Sequence, residues 1–165
     1  MDLSVSESGR EDRFCLTELP LSARIFMMAV ERTSDCHLRG IIYHLFYDHP
    51  TEFLDVADAI LQMDRMMDGL QCPQRDTKRR RFGTAKHRKV SHQETKSQTK
   101  TQQPYWPPRT FLERPLGMQV FYIQVYYRQH SSWQGDVYSY KRREKRRFRS
   151  VLELLYLIQS ALAEG

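Results

Sequence analysis

The sequence predicts an α+β fold in which two tandem ββ(β)α repeats pack as one pseudo-twofold domain, separated by a basic disordered linker. The first observation is that the chain matches itself at an offset of 95 positions without a gap. The second is that each matching segment alternates apolar residues at strand spacing and then repeats them at helix spacing. The third is size, because a unit of under about fifty residues buries too little apolar surface to be stable alone. Identical residues at this offset within the two units are Phe26 and Phe121, Val30 and Val125, Gly40 and Gly135, Tyr43 and Tyr138, Phe53 and Phe148, and Val56 and Val151.

Residues 1–22 carry five acids and two arginines with few large apolar groups, which predicts a disordered acidic tail. The chain has no apolar run long enough to cross a membrane, and its beginning does not resemble a secretory leader. An odd number of cysteines without paired spacing, Cys15, Cys36 and Cys72, agrees with a reducing compartment. We therefore expect a cytoplasmic protein without a membrane partner.

The first unit, residues 23–73, has four arginines and eight acids and is net negative. Gly40 lies inside its second strand, where glycine usually indicates a bulge or close packing. Asp55 is positioned to cap the following helix. The sequence does not decide whether Met66 belongs to the core or to a surface that binds a partner. The apolar stripe of the helix comprises Val56, Ala59, Ile60, Met63 and Met67.

Residues 74–117 contain twelve basic and three acidic residues and show no apolar period until their end. This composition predicts a disordered basic linker. The proline-rich and aromatic end of the linker is expected to lie over the domain, anchored through Tyr105, Trp106 or Phe111. Three consecutive arginines at the start of the linker, Arg79, Arg80 and Arg81, are candidate contacts for nucleic acid.

The second unit, residues 118–165, repeats the plan of the first with eight basic and four acidic residues. Its first strand alternates apolar side chains on the face predicted to be buried, namely Phe121, Ile123, Val125 and Tyr127. Ser150 and Glu153 have the spacing of a capping box at the start of the closing helix. The stripe of that helix comprises Val151, Leu154, Leu155, Ile158 and Leu162.

The motifs of known catalytic sites are missing from the sequence, so we expect a protein that is not an enzyme and needs no cofactor. There is no Gly-x-Ser-x-Gly elbow and no glycine-rich phosphate loop. Zinc sites usually have two close pairs of ligands, and nothing here supplies the second pair. The only near cluster is Cys36, His37, His44 and His49. We therefore predict no metal site.

Tyrosines and basic residues share the face of the second unit that alternates away from its predicted core. Tyrosine rings can stack on bases while arginines neutralise phosphates. The order of three strands and a helix is also similar to small DNA-binding modules that lay a three-stranded sheet in the major groove, an analogy of fold alone. The candidate residues for nucleic acid or a protein partner are Tyr122, Tyr126, Arg128, Tyr138, Tyr140, Arg142, Arg143, Lys145, Arg146, Arg147 and Arg149.

The segments Trp133–Gly135 and Phe148–Leu154 resemble the end of a family of short clostridial and related Firmicutes proteins. That family has a Trp-Gln-Gly strand and a Phe-Arg-Ser-x-x-Glu-Leu helix start. Its earlier half is similar to this chain at Gly40–Tyr43, Met63–Asp64 and Pro73–Gln74. The resemblance spans both units, implies a bacterial cytoplasmic protein, and assigns no activity.

Two binding functions remain open from the sequence. The first is association with nucleic acid through the basic linker and the tyrosine and arginine face. The second is a protein adaptor, or a self-associating module, in which the acidic first unit meets the basic second unit of another copy. Salt separates them, because phosphate contacts weaken steeply with added salt. A third and less favoured alternative is an enzyme, which would need acids, histidines or cysteines that converge in a pocket.

Overall fold

One six-stranded antiparallel sheet and two α-helices make up the fold, which confirms the predicted α+β class. The computed structural model describes residues 21–32, 38–78, 80, 82 and 103–163. Most of the predicted tail and the middle of the predicted linker therefore lie outside the described residues.

The strands and helices follow the order expected from the periodicity. The first half contains β1 (Ile25–Arg32), β2 (Leu38–Tyr43), β3 (Thr51–Phe53) and α1 (Val56–Leu70). The second half contains β4 (Gln119–Tyr127), β5 (Gln134–Ser139), β6 (Glu144–Phe148) and α2 (Val151–Ala163). Short 3-10 helices, Leu21–Arg24 and Pro108–Leu112, precede β1 and β4. Across the sheet the strands run β3-β2-β1-β4-β5-β6, so β3 and β6 form its edges.

The central pair of strands, β1 and β4, joins the two halves of the chain. Antiparallel pairing places Met28 opposite Phe121 and Phe26 opposite Ile123, and these side chains enter the same apolar core. Both helices pack on this face of the sheet, so the halves bury their apolar surfaces together. Large core side chains from the two halves include Phe26, Phe53, Met63, Phe121, Phe148 and Leu154.

Two strand glycines make room for two phenylalanine rings. A Cβ added at Gly40 would lie 2.0 Å from the carbonyl oxygen of Ala29 and 2.7 Å from the ring of Phe53. At Gly135 the corresponding distances are 1.9 Å to the oxygen of Gln124 and 2.8 Å to the ring of Phe148. Gly40 and Gly135 are therefore needed for close packing in the sheet, one of the two roles expected from the sequence.

Side chains cap the starts of both helices at the predicted positions. The carboxylate of Asp55 accepts a hydrogen bond of 2.7 Å from the backbone N–H of Asp58. The hydroxyl of Ser150 accepts one of 3.1 Å from the N–H of Glu153. The Glu153 carboxylate accepts a bond from the N–H of Arg149, one residue before its usual partner in a capping box. Both caps satisfy amides that the first helical turn leaves without partners.

The prediction that Tyr127 belongs to the core is wrong, whereas Met66, which the sequence left open, does belong to it. Tyr127 is more than half exposed, because the register of β4 against β5 shifts between Val125 and Tyr127. Such a bulge re-aims the side chains beyond it, and strict alternation cannot reveal it. Met66 is buried with the rest of the core.

Residues 103–118, here named the strap, lie against the fold. The indole Nε1 of Trp106 donates to the carbonyl of Tyr47 at 2.6 Å, and the N–H of Tyr105 donates to Leu45 at 2.8 Å. Phe111 packs in a small apolar cluster on the sheet face opposite the helices. These contacts confirm the expected anchoring of the strap, which the sequence predicted as part of the linker.

Candidate nucleic-acid interface

The outer face of β4, β5 and β6, opposite the helices, carries two cross-strand rows of polar and aromatic side chains. The first row consists of Tyr122, Tyr138 and Lys145, and the second of Gln124, Asp136 and Arg147. Tyr126 joins the second row, since its hydroxyl donates to Asp136 at 3.0 Å. Alternation along β4 and β5 thus places these three tyrosines on one side of the sheet.

Asp136 is the negative centre of this face. Its side chain is only 8% exposed, and it pairs with Lys145 at 3.1 Å and Arg147 at 3.3 Å. Burial alone would raise the pKa of the Asp136 carboxyl, but hydrogen bonds from Lys145, Tyr126 and Arg147 outweigh it and lower the pKa. Burial and the neighbouring Asp136 raise the pKa of the Tyr126 hydroxyl. Asp136 therefore stays charged and orients both basic side chains.

The edge strand β6 and its flanking residues carry seven basic side chains within residues 141–149, here named the basic track. Its members are Lys141, Arg142, Arg143, Lys145, Arg146, Arg147 and Arg149, and all seven are exposed. Lys145 and Arg147 keep 65% and 77% of their side-chain surface in solvent despite pairing with Asp136. Arg146 pairs with Glu144, and Arg149 with Glu153 at 3.6 Å. Exposed pairs of this kind are weak and can exchange a carboxylate for another anion.

The strap covers part of the tyrosine surface. The Tyr122 hydroxyl donates to the carbonyl of Phe111, and the two rings lie 6.3 Å apart. Arg114 lies over the ring of Tyr140, 3.8 Å from its centroid. Tyr126 and Tyr138 are half-buried, and no hydrogen bond or ring contact joins either of them to a described side chain of the strap. These two rings are thus the best placed for a ligand that approaches the basic track.

Arg128 lies in a different environment from the other candidates. Its side chain is 3% exposed and donates to Asp64 at 2.7 Å, to Asp68 at 2.6 Å and to the carbonyl of Pro73. The residue therefore does not share an accessible surface with the tyrosines. Instead, its ion pairs connect the end of β4 to α1 of the first half.

Three residues of the network around Arg128, namely Asp64, Asp68 and Arg75, were missed by the sequence analysis. Arg75 pairs with Asp64 at 2.8 Å and with Asp68 at 2.9 Å, and the indole of Trp133 donates to Asp64 at 3.3 Å. The available signal was the spacing of Asp64 and Asp68, which puts two acids on one side of α1. Nothing local in the sequence connects that side with Arg128.

The three consecutive arginines of the linker are only partly described. Arg80 is exposed, whereas Arg79 and Arg81 lie outside the described residues. Arg80 lies near the turn between β4 and β5, where it lines a cleft with Ser131 and Trp133.

His44 belongs to the cluster that the sequence analysis considered as zinc ligands. It is buried, and both ring nitrogens form hydrogen bonds within the protein. Its Nδ1 accepts from the N–H of Phe46 at 3.2 Å, and its Nε2 donates to the carbonyl of Ala23 at 3.0 Å. Burial, opposed by the Ala23 bond, lowers the pKa of His44 to about 4. Cys36 and His37 lie outside the described residues. Among the residues that are described, no three His, Cys, Asp or Glu side chains form a group able to hold a metal ion.

The part of the chain that the structure describes contains no helix that could span a membrane. No known family model matches the chain, and searches of curated proteins and of solved structures also found no match. The resemblance to the clostridial family stays a prediction.

Proposed function

We propose that the protein binds single-stranded nucleic acid along the basic track, with bases stacked on Tyr126 and Tyr138. The observation that carries the proposal is that Lys145 and Arg147 of the exposed edge strand share one sheet face with the half-buried rings of Tyr126 and Tyr138. Arg146 extends the positive charge along the same edge from the helix side of the sheet, where it lies opposite Val137. Proteins that bind single strands combine a positive surface for the backbone with aromatic side chains for the bases. No step of bond making or breaking is part of this proposal.

Binding would replace intramolecular partners of the track rather than fill a vacant site. Lys145 and Arg147 share Asp136, so a phosphate competes with one carboxylate for two cations. The net positive charge of the track remains available, because residues 140–149 contain seven basic residues and one acid. Such contacts release counterions and make the affinity fall with added salt.

The test measures fluorescence anisotropy of labelled single-stranded and duplex oligonucleotides. The variant Arg143→Gln/Arg146→Gln/Arg149→Gln removes three charges from the track without removing a partner of Asp136. The matched control, Arg39→Gln/Arg65→Gln/Arg109→Gln, removes three exposed charges elsewhere. We expect at least about tenfold weaker binding for the track variant, since each lost phosphate contact lowers affinity and salt dependence. Equal losses in both variants would leave only non-specific attraction by net charge.

A protein partner or a second copy of the chain is the other candidate, favoured by a different surface. Leu152 and Tyr156 are exposed by 59% and 63% and lie one turn apart on α2. A chain that self-associates through this pair would give a dimer by sedimentation analysis at low and high salt alike. In that case Leu152→Ser/Tyr156→Ser would restore the monomer without changing oligonucleotide binding.

We also propose that the two halves are tandem ββ(β)α repeats related by a pseudo-twofold axis between β1 and β4. The strand order supports this symmetry. Exchanging each strand of the first half with its equivalent in the second half gives the same order, counted from the opposite edge of the sheet. Further support is the matching environment of Gly40 and Gly135, each against a phenylalanine of the next strand. If this symmetry holds, the two glycines respond alike to substitution.

A further inference from the structure

A cleft opens where the first half of the chain meets the turn between β4 and β5. It has a volume of about 630 Å³, within the range of small-ligand sites. Basic and hydroxyl side chains dominate its lining, and Asp64 is the only acid among the described residues that form it. The residues that line it are Asp64, Arg75, Thr77, Lys78, Arg80, Arg128, Ser131, Ser132 and Trp133.

Of the four basic residues described in the lining of the cleft, two form no ion pair with a described residue. Arg75 and Arg128 are held by Asp64 and Asp68. Lys78 and Arg80 form no ion pair or hydrogen bond with any described residue. The described residues therefore neutralise the positive charge of the cleft only in part, which favours an anionic ligand.

Hydrogen bonds hold the two sides of the cleft together. The hydroxyls of Thr77 and Ser131 lie 3.1 Å apart, and the N–H of His130 donates to Asp76 at 2.9 Å. Ser132 accepts from the N–H of Val151 at 3.1 Å, at the start of α2. Hydroxyl donors are thus fixed beside the free cations, an arrangement suited to an oxyanion with several acceptor atoms.

We infer that this cleft binds a phosphate group, with Lys78 and Arg80 as its charge partners and the hydroxyls of Thr77 and Ser131 as additional donors. Phosphate offers the strong acceptor oxygens that such a set of donors recognises. The cleft adjoins the end of the basic track, since Ser132, which lines the cleft, accepts a hydrogen bond from the N–H of Val151, two residues after Arg149. In this respect the inference deepens the proposed function, because the phosphate of a bound strand can reach the cleft. Phosphate binding itself does not depend on the track.

The experiment titrates the full chain with inorganic phosphate and with a nucleoside 5′-monophosphate, followed by the backbone amide signals of Thr77, Ser131 and Ser132 in nuclear magnetic resonance. The expected result is a saturable shift of these signals for both ligands. Lys78→Ala/Arg80→Ala should weaken it at least tenfold. The control Arg39→Ala/Arg109→Ala, which removes the same charge from exposed sites elsewhere, should bind as the wild type does. An absent or non-saturable shift, or equal binding by the two variants, overturns the inference.

Oligonucleotides with and without a 5′-phosphate then identify the source of the phosphate. Tighter binding of the phosphorylated strand, lost in Lys78→Ala/Arg80→Ala, assigns the cleft to the end of a strand. Equal binding of both strands, together with saturable binding of the monophosphate, assigns it to a free nucleotide. The track variant Arg143→Gln/Arg146→Gln/Arg149→Gln keeps the cleft intact. Loss of strand binding in that variant with phosphate binding unchanged therefore separates a failure of the track from a failure of the cleft.

Discussion

The guanidinium of Arg128 is enclosed between α1 and the end of β4, with two carboxylates as partners. Removing one member of a buried pair leaves the other charge without compensation, which costs about 3–5 kcal/mol. Asp64 keeps Arg75 as a partner, so we expect the lower end of that range. Arg128→Leu should lower the free energy of unfolding by about 3 kcal/mol in urea denaturation.

The matched control for this prediction is Arg39→Leu. Arg39 pairs with Glu31 at 3.1 Å on the surface, where both side chains are largely exposed. Exposed pairs contribute at most about 1 kcal/mol. Equal effects of the two substitutions would show that Arg128 does not act as a buried ion-pair partner.

His44 makes stability depend on pH below neutrality. The hydrogen bond that its Nδ1 accepts from Phe46 requires the neutral ring, and burial lowers its pKa in the folded protein to about 4 from the ordinary value of 6.5. The unfolded chain thus takes up a proton first, so stability is full above pH 6.5 and falls until about pH 4. A difference of this size corresponds to about 3 kcal/mol.

Urea denaturation of the wild type and of His44→Phe, at several pH values across this window, isolates the effect of His44. Other groups contribute to both proteins and cancel in the difference. The wild type should lose more stability on acidification than the variant. Parallel pH profiles would contradict a neutral buried His44.

At the scale of the strand, Gly40 and Gly135 set how closely neighbouring backbones and rings approach. A Cβ at either position falls within about 2 Å of a carbonyl oxygen, 2.0 Å at Gly40 and 1.9 Å at Gly135. Backbone atoms cannot yield as a flexible side chain can, so overpacking is severe. Gly40→Ala and Gly135→Ala should each destabilise the protein by more than about 3 kcal/mol, measured by thermal and urea unfolding.

Gly117→Ala provides the comparison, because that glycine has a φ of +78° and no neighbour within 4 Å of an added Cβ. Its cost should be limited to the backbone strain of about 1 kcal/mol. The symmetry proposal further requires similar losses at Gly40 and Gly135. A large loss at one and none at the other would count against equivalent halves.

Local sequence patterns predicted most of the fold, and the errors arose where contacts between residues distant in sequence decide the structure. Strand alternation and helix spacing are local, so the eight main elements and both caps were predictable. The bulge before Tyr127 breaks the alternation without a sequence signal. Arg128 looks like a surface residue in its segment, and only the fold brings it to Asp64, which is 64 positions away.

For the candidate interface, the sequence predicted which residue types are present but not which of them are accessible to a ligand. The cluster of basic residues at 141–149 and the alternating tyrosines follow directly from the residues and strand geometry. That Phe111 and Arg114 cover Tyr122 and Tyr140 depends on how the strap crosses the sheet. The cleft lined by Lys78 and Arg80 likewise arises from tertiary structure alone.

At the scale of the whole molecule, the net charge of +6 is enough to attract polyanions without any specific track. Salt dependence distinguishes the two cases, because each phosphate contact adds a defined increment to the slope of log affinity against log salt. For single strands the increment is about 0.7 per contact. The three substitutions of the track variant should therefore reduce the slope by about 2.

The measurement that tests this account most directly is that slope, obtained by anisotropy of a labelled single-stranded oligonucleotide across a series of salt concentrations. Wild type and the control Arg39→Gln/Arg65→Gln/Arg109→Gln should share one slope. Arg143→Gln/Arg146→Gln/Arg149→Gln should show the reduced slope and weaker binding at every concentration. Absence of binding at low salt, or the same slope for all three proteins, would contradict a nucleic-acid interface along β6.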